Sequence, residues 1–416
     1  MLMKKVTFIT QGCRLNQSES ASLENAFKDE GYQLVSSYDL ADIAVINTCT
    51  VTENGDKDTR RLVNKLNKAN EAIKIALIGC QSQVHKEALL KLQNVQWVIG
   101  NAEKMNTHHI ITQTADLAER VVKTDKMNRD PFTVPRSSID THHTRANIKI
   151  QDGCDFYCSF CVIPFARGPA RSRVYEDIIR ECIDLGDAGH QEIVITGINV
   201  GTYDYEGKRI CDVINGISKI DTIKRIRISS IEPTTIPKEL ISMMNTNPKL
   251  CRYLHIPVQS GSDAVLRDMA RKYTMAEFRA FVEWAYQEVP DICIGTDVIV
   301  GFPTETKAHF DETVANLLTL PIHYLHVFSY SERKFARSTR KQEKVNPQII
   351  AERSKILRSI SDKKRSQYYD SFSGKKVSVL FESEKNGHWS GLTDNFIKVN
   401  YASNQNLKNI FKDIIL

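Results

Sequence analysis

Three cysteines stand close together in Gln151-Asp-Gly-Cys-Asp-Phe-Tyr-Cys-Ser-Phe-Cys-Val162: Cys154, Cys158 and Cys161. A Cys-x3-Cys-x2-Cys loop can hold three irons of a cubane iron–sulfur cluster and leave the fourth without a protein ligand. An open iron can bind and activate a small molecule, by the logic of an open zinc position. The next cysteine, Cys182, is too far along the chain to be an obvious fourth ligand. A closed zinc site would have to draw on His142 and His143, which read better as linker residues.

Three more cysteines share a topological position. Cys13 follows Val6-Thr-Phe-Ile-Thr-Gln-Gly, Cys49 follows Ile43-Ala-Val-Ile-Asn-Thr, and Cys80 follows Ile75-Ala-Leu-Ile-Gly. Each comes at or just past the end of an apolar, partly β-branched run that reads as a strand. In a parallel sheet such ends share one edge, where these folds bind ligands. Isolated thiols would read as small core hydrophobes. Three at one edge point instead to a second cluster. Cys182, Cys211, Cys251 and Cys293 share no spacing and are given no role.

The elements that must position these thiols follow from the hydrophobic pattern. Strands are expected at 5–10, 42–47, 73–79 and 95–100, separated by helices near 18–30, 56–68 and 86–92. This βαβ pattern implies a flavodoxin-like parallel sheet over residues 1–120. Residues 121–146 are polar and irregular and read as a linker. Six further β/α units, with strands at 148–151, 192–198, 226–231, 253–258, 292–300 and 325–329, imply an open, partial (β/α)6 barrel over 147–345. Pro347 suits a first helical turn and opens a basic helix within 346–372. The tail, 373–416, alternates like a small OB-like β-barrel, though it is short for five strands.

Composition is that of an ordinary globular chain, with 416 residues, 41% hydrophobic and a formal charge of +6. No apolar run is long enough to span a membrane, and the first residues read as a strand rather than a signal peptide. Ten cysteines in such a chain imply a reducing, cytoplasmic setting. Residues 331–376 carry fourteen Lys or Arg against five Asp or Glu, a basic stretch suited to nucleic-acid phosphates.

The loop, with Phe160 before its last cysteine, resembles the signature of the radical S-adenosylmethionine (SAM) superfamily. Gln11-Gly-Cys-Arg-Leu-Asn-Gln-Ser-Glu-Ser20, Asn47-Thr-Cys-Thr-Val-Thr52 and Ile78-Gly-Cys-Gln-Ser-Gln83 resemble the first domain of the methylthiotransferases. Ile163-Pro-Phe-Ala-Arg-Gly168, His255-Ile-Pro-Val-Gln-Ser-Gly-Ser262 and Asp297-Val-Ile-Val-Gly-Phe-Pro-Thr-Glu305 continue the match, and the tail resembles a TRAM RNA-binding domain. The resemblance implies two [4Fe–4S] clusters, one on Cys154, Cys158 and Cys161 and one on Cys13, Cys49 and Cys80. It also implies S-adenosylmethionine, cleaved to a radical at the first cluster, and a methylthio group delivered from the second to C2 of an adenine. Implied partners are a tRNA anticodon stem-loop, an electron donor such as flavodoxin or ferredoxin, and a sulfur donor. Asn47–Thr52, together with Gly12-Cys-Arg-Leu-Asn-Gln17, is most similar to members that act on N6-threonylcarbamoyladenosine. Isopentenyladenosine is the next substrate, a ribosomal-protein target the third. A non-catalytic iron–sulfur carrier or RNA-binding regulator is the reading from another class.

In such a barrel the cofactor contacts belong at the C-terminal strand ends. Gly197 and Asn199 would meet the methionine amino group. Ser230, Glu232 and Gln259 would reach the ribose, Gly301 and Phe302 would line the adenine, and Phe160 would stack on it. Arg167, Arg171 and Arg173 would meet tRNA phosphates or the threonyl carboxylate. Trp389 and Phe396 could stack on bases, with at least one of them in the barrel core. One departure is local: Lys334-Phe-Ala-Arg-Ser-Thr339 stands where the family has a Gly-Thr pair.

Overall fold

A computed structural model describes residues 3–50, 53–139 and 143–416. The first unit is a parallel sheet of β1 (Lys5–Thr10), β2 (Gln33–Leu34), β3 (Ile43–Thr48), β4 (Lys74–Gly79), β5 (Val95–Ile99) and β6 (Val121–Lys123), in the order β2-β1-β3-β4-β5-β6. Strands covered on both faces read as continuous apolar runs. Here the two faces separate cleanly: Ile43, Val45, Ala76 and Ile78 join one core, and Ala44, Ile46, Ile75 and Leu77 the other. β6 falls inside the segment expected to be linker, as an edge strand beside β5.

The first helix, Arg14–Asp29, begins four residues before the expected start at Ser18. Its polar residues Asn16, Ser18, Glu19 and Ser20 are buried, because the helix is wedged between the first sheet and the barrel. Beyond β6 the linker crosses this helix, with Ser22 Oγ donating to the Arg136 carbonyl at 2.6 Å.

The central unit has six parallel strands: β7 (Ala146–Lys149), β10 (Glu192–Thr196), β11 (Arg225–Ile228), β12 (Tyr253–His255), β13 (Cys293–Val300) and β14 (Tyr324–Ser329). They form two three-stranded sheets, β11-β10-β7 and β12-β13-β14, joined by parallel bridges Ile226↔Leu250 and Ser230↔His255. Ile148, Ile193, Ile195, Ile226, Leu254 and Ile294 pack in the main core. The alternate residues Asn147, Val194, Thr196, Arg227, Tyr253, His255, Asp297 and His326 line the bore. The short antiparallel pair β8 (Gln151–Asp152) and β9 (Arg171–Ser172) brackets the cysteine loop.

The helix Pro347–Asp370 starts as expected, with the Asn346 side chain capping Gln348 N at 2.8 Å. It leads into β15 (Lys376–Lys385), β16 (His388–Leu392), β17 (Lys398–Ala402) and β18 (Phe411–Ile415), an antiparallel sheet in the order β17-β16-β15-β18. This is a curled half-barrel of four strands, with a bulge between Phe381 and Ser383. It packs on the barrel through Phe381, Trp389 and Val399 against Tyr253 and Tyr324.

Candidate active site

The loop of Cys154, Cys158 and Cys161 is fixed at both ends. Gln151 Nε2 donates to the Asp152 and Gly153 carbonyls, and Gln151 Oε1 accepts from Ile198 N and Asn199 N at 3.0 and 2.9 Å. Gly153 has φ +70°, and a Cβ there would lie 1.9 Å from the Pro169 carbonyl oxygen. Burial and mutual repulsion push the Cys154 thiol up to about 11 and Cys161 to about 12. A metal that binds these thiols has to displace their protons.

The second trio sits on adjacent strands. β1, β3 and β4 are neighbours, with Thr10 paired to Asn47 and Thr48 to Gly79, so Cys13, Cys49 and Cys80 emerge side by side. β1 and β3 flank the switch point of a 2-1-3-4-5 order, where such sheets bind ligands. Gly12, at φ +91°, makes room: a Cβ there would fall 2.7 Å from Cys49 Sγ. Gln81 Oε1, Ser82 Oγ and Asn101 Oδ1, near Cys80, are buried without a protein partner.

A tetrahedral zinc with Zn–S bonds of 2.3 Å would hold sulfurs about 3.8 Å apart. Among the described residues neither trio has its three sulfurs within 4.8 Å of one another. Both are wider than a single tetrahedral ion would set, and a set of three thiols is the donor set of a cluster with one open iron. His142 lies outside the described residues. One side chain ties the two trios together. Asn101 Nδ2 lies 3.5 Å from Cys80 Sγ and donates to the Ala166 carbonyl at 2.7 Å, on the turn that follows the cysteine loop.

The other expected contacts divide. Asn199 is buried, its Oδ1 accepting from Thr235 Oγ1 at 3.0 Å while its Nδ2 has no partner. Gly197 and Ser230 line the bore. Gln259, at φ +69°, links β12 to β13 through its main chain. Glu232 is ion-paired to Arg271, whose Nη1 also reaches Cys158 Sγ at 3.3 Å. Gly301 is left-handed and would clash with Ile350 if it carried a Cβ. Phe302 is fully buried, and Phe160 packs against it, so its ring supports Phe160 rather than facing the cavity.

The three arginines are corrected. Arg167 is buried and shared between Glu19 and Asp152 at 3.0 and 2.9 Å. Arg173 is buried on Asp177 and Glu181. Arg171 stacks 4.9 Å over Phe132 and pairs with Asp152. Glu19 also holds Lys104 at 2.5 Å and Lys149 at 2.7 Å. Burial alone would raise Glu19, but Arg167, Lys104 and Lys149 outweigh it and hold the carboxyl well below its usual range. Arg167 and Arg171 thus belong to a buried ionic joint between first sheet and barrel, not to a phosphate-facing surface.

Between the units lies a cavity of about 800 Å³, lined by Cys13, Arg14, Thr196, Gly197, Ser229, His255, Asp297, His326, Glu382 and Phe396 among others. Cys13 opens onto it from the first domain, the bore forms its wall, and the C-terminal half-barrel closes one side. Phe396 stacks on Tyr253 at 4.5 Å. Asp297 bonds His255 Nε2 at 2.8 Å and pairs with His326 Nδ1 at 3.3 Å. Burial opposes its charge, but those imidazoles hold its carboxyl below the usual range.

Residues 5–100 match the family described as uncharacterized protein family UPF0004, and residues 148–317 match the radical SAM superfamily. The threonylcarbamoyladenosine tRNA methylthiotransferase MtaB of Aquifex aeolicus is 36% identical, covering 95% of this chain and 96% of that one. The chain belongs to the radical SAM methylthiotransferases. The MtaB of Bacillus subtilis is 33% identical over 97% of this chain and 92% of its own. Among solved structures, the radical SAM methyltransferase TsrM from Kitasatospora setae superposes with a TM-score of 0.57 at 15% identity, covering 79% and 75% of the two chains. That likeness is one of fold.

In this methylthiotransferase the departure at Lys334–Thr339 forms a cover. Ser338 N donates to the Ser159 carbonyl at 2.8 Å, Arg337 Nη2 to the Tyr157 carbonyl, and Phe335 stacks on Phe165 at 5.7 Å. Arg333 Nη2 donates to Thr50 Oγ1 at 2.7 Å, beside Cys49. Arg271, Asn101 and Arg333 carried no signal in the sequence, because each acts on a cysteine segment far away in the chain. Cys182, Cys211, Cys251 and Cys293 are buried and pack as small hydrophobes. Thr52, on which part of the substrate resemblance rests, lies outside the described residues.

Proposed function

We propose that this protein replaces the C2 hydrogen of N6-threonylcarbamoyladenosine at tRNA position 37 with a methylthio group. That hydrogen is neither acidic nor displaceable, so side-chain acid–base chemistry cannot remove it. When bound, two [4Fe–4S] clusters and S-adenosylmethionine supply the radical and the methylthio sulfur. The observation that carries the reading is a cysteine loop on the barrel beside three cysteines at one sheet edge, with Cys13 opening onto an 800 Å³ cavity in the barrel bore.

Cys154, Cys158 and Cys161 would hold one cluster, and Cys13, Cys49 and Cys80 the second. Asn199, with a free buried Nδ2, and Gly197 receive the amino acid end of S-adenosylmethionine. Ser230, Glu232, Gln259 and Gly301 lie along the strand ends toward its nucleoside, with Phe160 beside them. Arg271 fixes Glu232 against the loop. The segment 333–340 pins the loop through the Ser159 and Tyr157 carbonyls. The basic helix Pro347–Asp370 and the half-barrel offer the tRNA a cationic approach. A one-electron donor of the flavodoxin or ferredoxin kind and a sulfur donor complete the cycle.

The test is mass spectrometry of tRNA nucleosides from cells with and without the gene. Loss of the 2-methylthio group from threonylcarbamoyladenosine, with the unthiolated nucleoside accumulating, supports the reading. Loss confined to isopentenyladenosine reassigns the substrate. No change in either points away from tRNA.

A further inference from the structure

Among the described residues, the charged groups that line the cavity are paired with one exception. Arg227 is spent on Glu192 at 2.7 Å and on the Thr393 and Asp394 carbonyls. Asp297 is held by His255 and His326. Glu382 is held by Arg145. Arg14 has no carboxylate partner among the described residues. Its one side-chain hydrogen bond among the described residues is a long one, Nη1 to Asn147 Oδ1 at 3.4 Å. Arg145 likewise keeps its Nη1 buried and without a partner. A half-buried guanidinium left this way is costly unless an anion joins it. The N-terminus of the Arg14–Asp29 helix adds a positive end at the same place, where Cys13 leaves the first turn without a side-chain cap.

Given the substrate reading above, on which this inference rests, we infer that Arg14, assisted by Arg145, binds the carboxylate of the threonylcarbamoyl group and so selects this substrate. A planar guanidinium matches a carboxylate with two parallel hydrogen bonds. The geometry also orients the base. N6, N1 and C2 share the Watson–Crick edge of adenine. A carboxylate held by the neighbour of Cys13 therefore turns that edge toward the sheet-edge cysteines. Isopentenyladenosine has no anion to offer, and Arg14 would stay unpaired against it, which is a penalty on the wrong substrate.

The test uses reconstituted holoenzyme and two anticodon stem-loops, one carrying threonylcarbamoyladenosine and one its neutral threoninamide analogue. Wild type should bind the carboxylate form about ten- to a hundredfold more tightly than the amide. Arg14→Gln should bind the two equally, Arg14→Lys should recover part of the ratio, and Arg145→Gln should lose a smaller part. Iron content and cluster absorbance report whether each variant is loaded; if Arg14→Gln fails to load, the ratio for Arg145→Gln decides. Full discrimination kept by Arg14→Gln overturns the inference. So does an equal loss of affinity for both stem-loops, which would mark a phosphate contact. If wild type forms methylthio product without preferring the carboxylate, the inference alone falls. If it neither prefers threonylcarbamoyladenosine to unmodified adenosine nor modifies it, the substrate reading falls as well.

Discussion

Cys154, Cys158 and Cys161 lie in one loop, held by the backbone around them. Cys13, Cys49 and Cys80 come from three strand ends and are held by the register of β1, β3 and β4. The first trio depends on local turn geometry, with Gln151 and Gly153 at its root. The second depends on the whole sheet and on the space left by Gly12. A local site can form as soon as its loop is clamped, whereas a topological site requires the folded domain. The buried joint of Glu19, Asp152, Lys149 and Arg167 then sets one site against the other.

The largest expected effects separate the two chemically. Cys154→Ala should abolish release of 5′-deoxyadenosine from S-adenosylmethionine and remove about half of the iron. Cys13→Ala should also lower iron but leave that release measurable while abolishing methylthio transfer. Full transfer by Cys13→Ala would end the two-cluster reading. Next comes the joint. Glu19→Gln leaves Lys104 without its carboxylate and Arg167 and Lys149 with Asp152 alone, a loss of about 3–5 kcal/mol for a broken buried pair, read as a fall in thermal midpoint. Because Glu19's folded pKa lies below its ordinary 4.5, its stabilisation is present above that pH and is lost as pH falls toward the folded value. The wild-type midpoint should therefore drop through this window more steeply than that of Glu19→Gln.

Smaller effects come from the glycines and from Arg271. Gly12→Ala must place a Cβ against Cys49 at positive φ, and should cost about 1–3 kcal/mol while depleting the sheet-edge cluster and sparing the loop cluster. Gly153→Ala should do the reverse, since its Cβ meets the Pro169 carbonyl. Iron counts combined with 5′-deoxyadenosine release distinguish the two patterns. Equal damage to both clusters from either variant would mean that the sites are not independently built. Arg271→Gln should slow 5′-deoxyadenosine release several-fold and leave the second cluster loaded, by loss of its bonds to Cys158 and Glu232.

Sequence alone determined what depends on local pattern: the cysteine loop, the central strands of the first sheet and the six barrel strands, the helix opened by Pro347, and the common edge of Cys13, Cys49 and Cys80. These follow from residue spacing and from periods that backbone geometry imposes. It placed the first helix too late, because Glu19 and its polar neighbours look solvent-facing until a second domain covers them. It missed β2 and β6 for the same reason, since an edge strand gains its identity from the partner beside it. Arginine roles were the least legible. Arg167, Arg171 and Arg173 stand next to the cysteine loop in sequence, yet Glu19 and Asp152 draw the first two inward and Asp177 and Glu181 take the third. Arg14, Arg145 and Arg271 meet their surroundings only through distant chain segments. A charge is free or spent according to which carboxylates the fold brings to it. That pairing is a property of three-dimensional neighbours, so only the tertiary structure decided it.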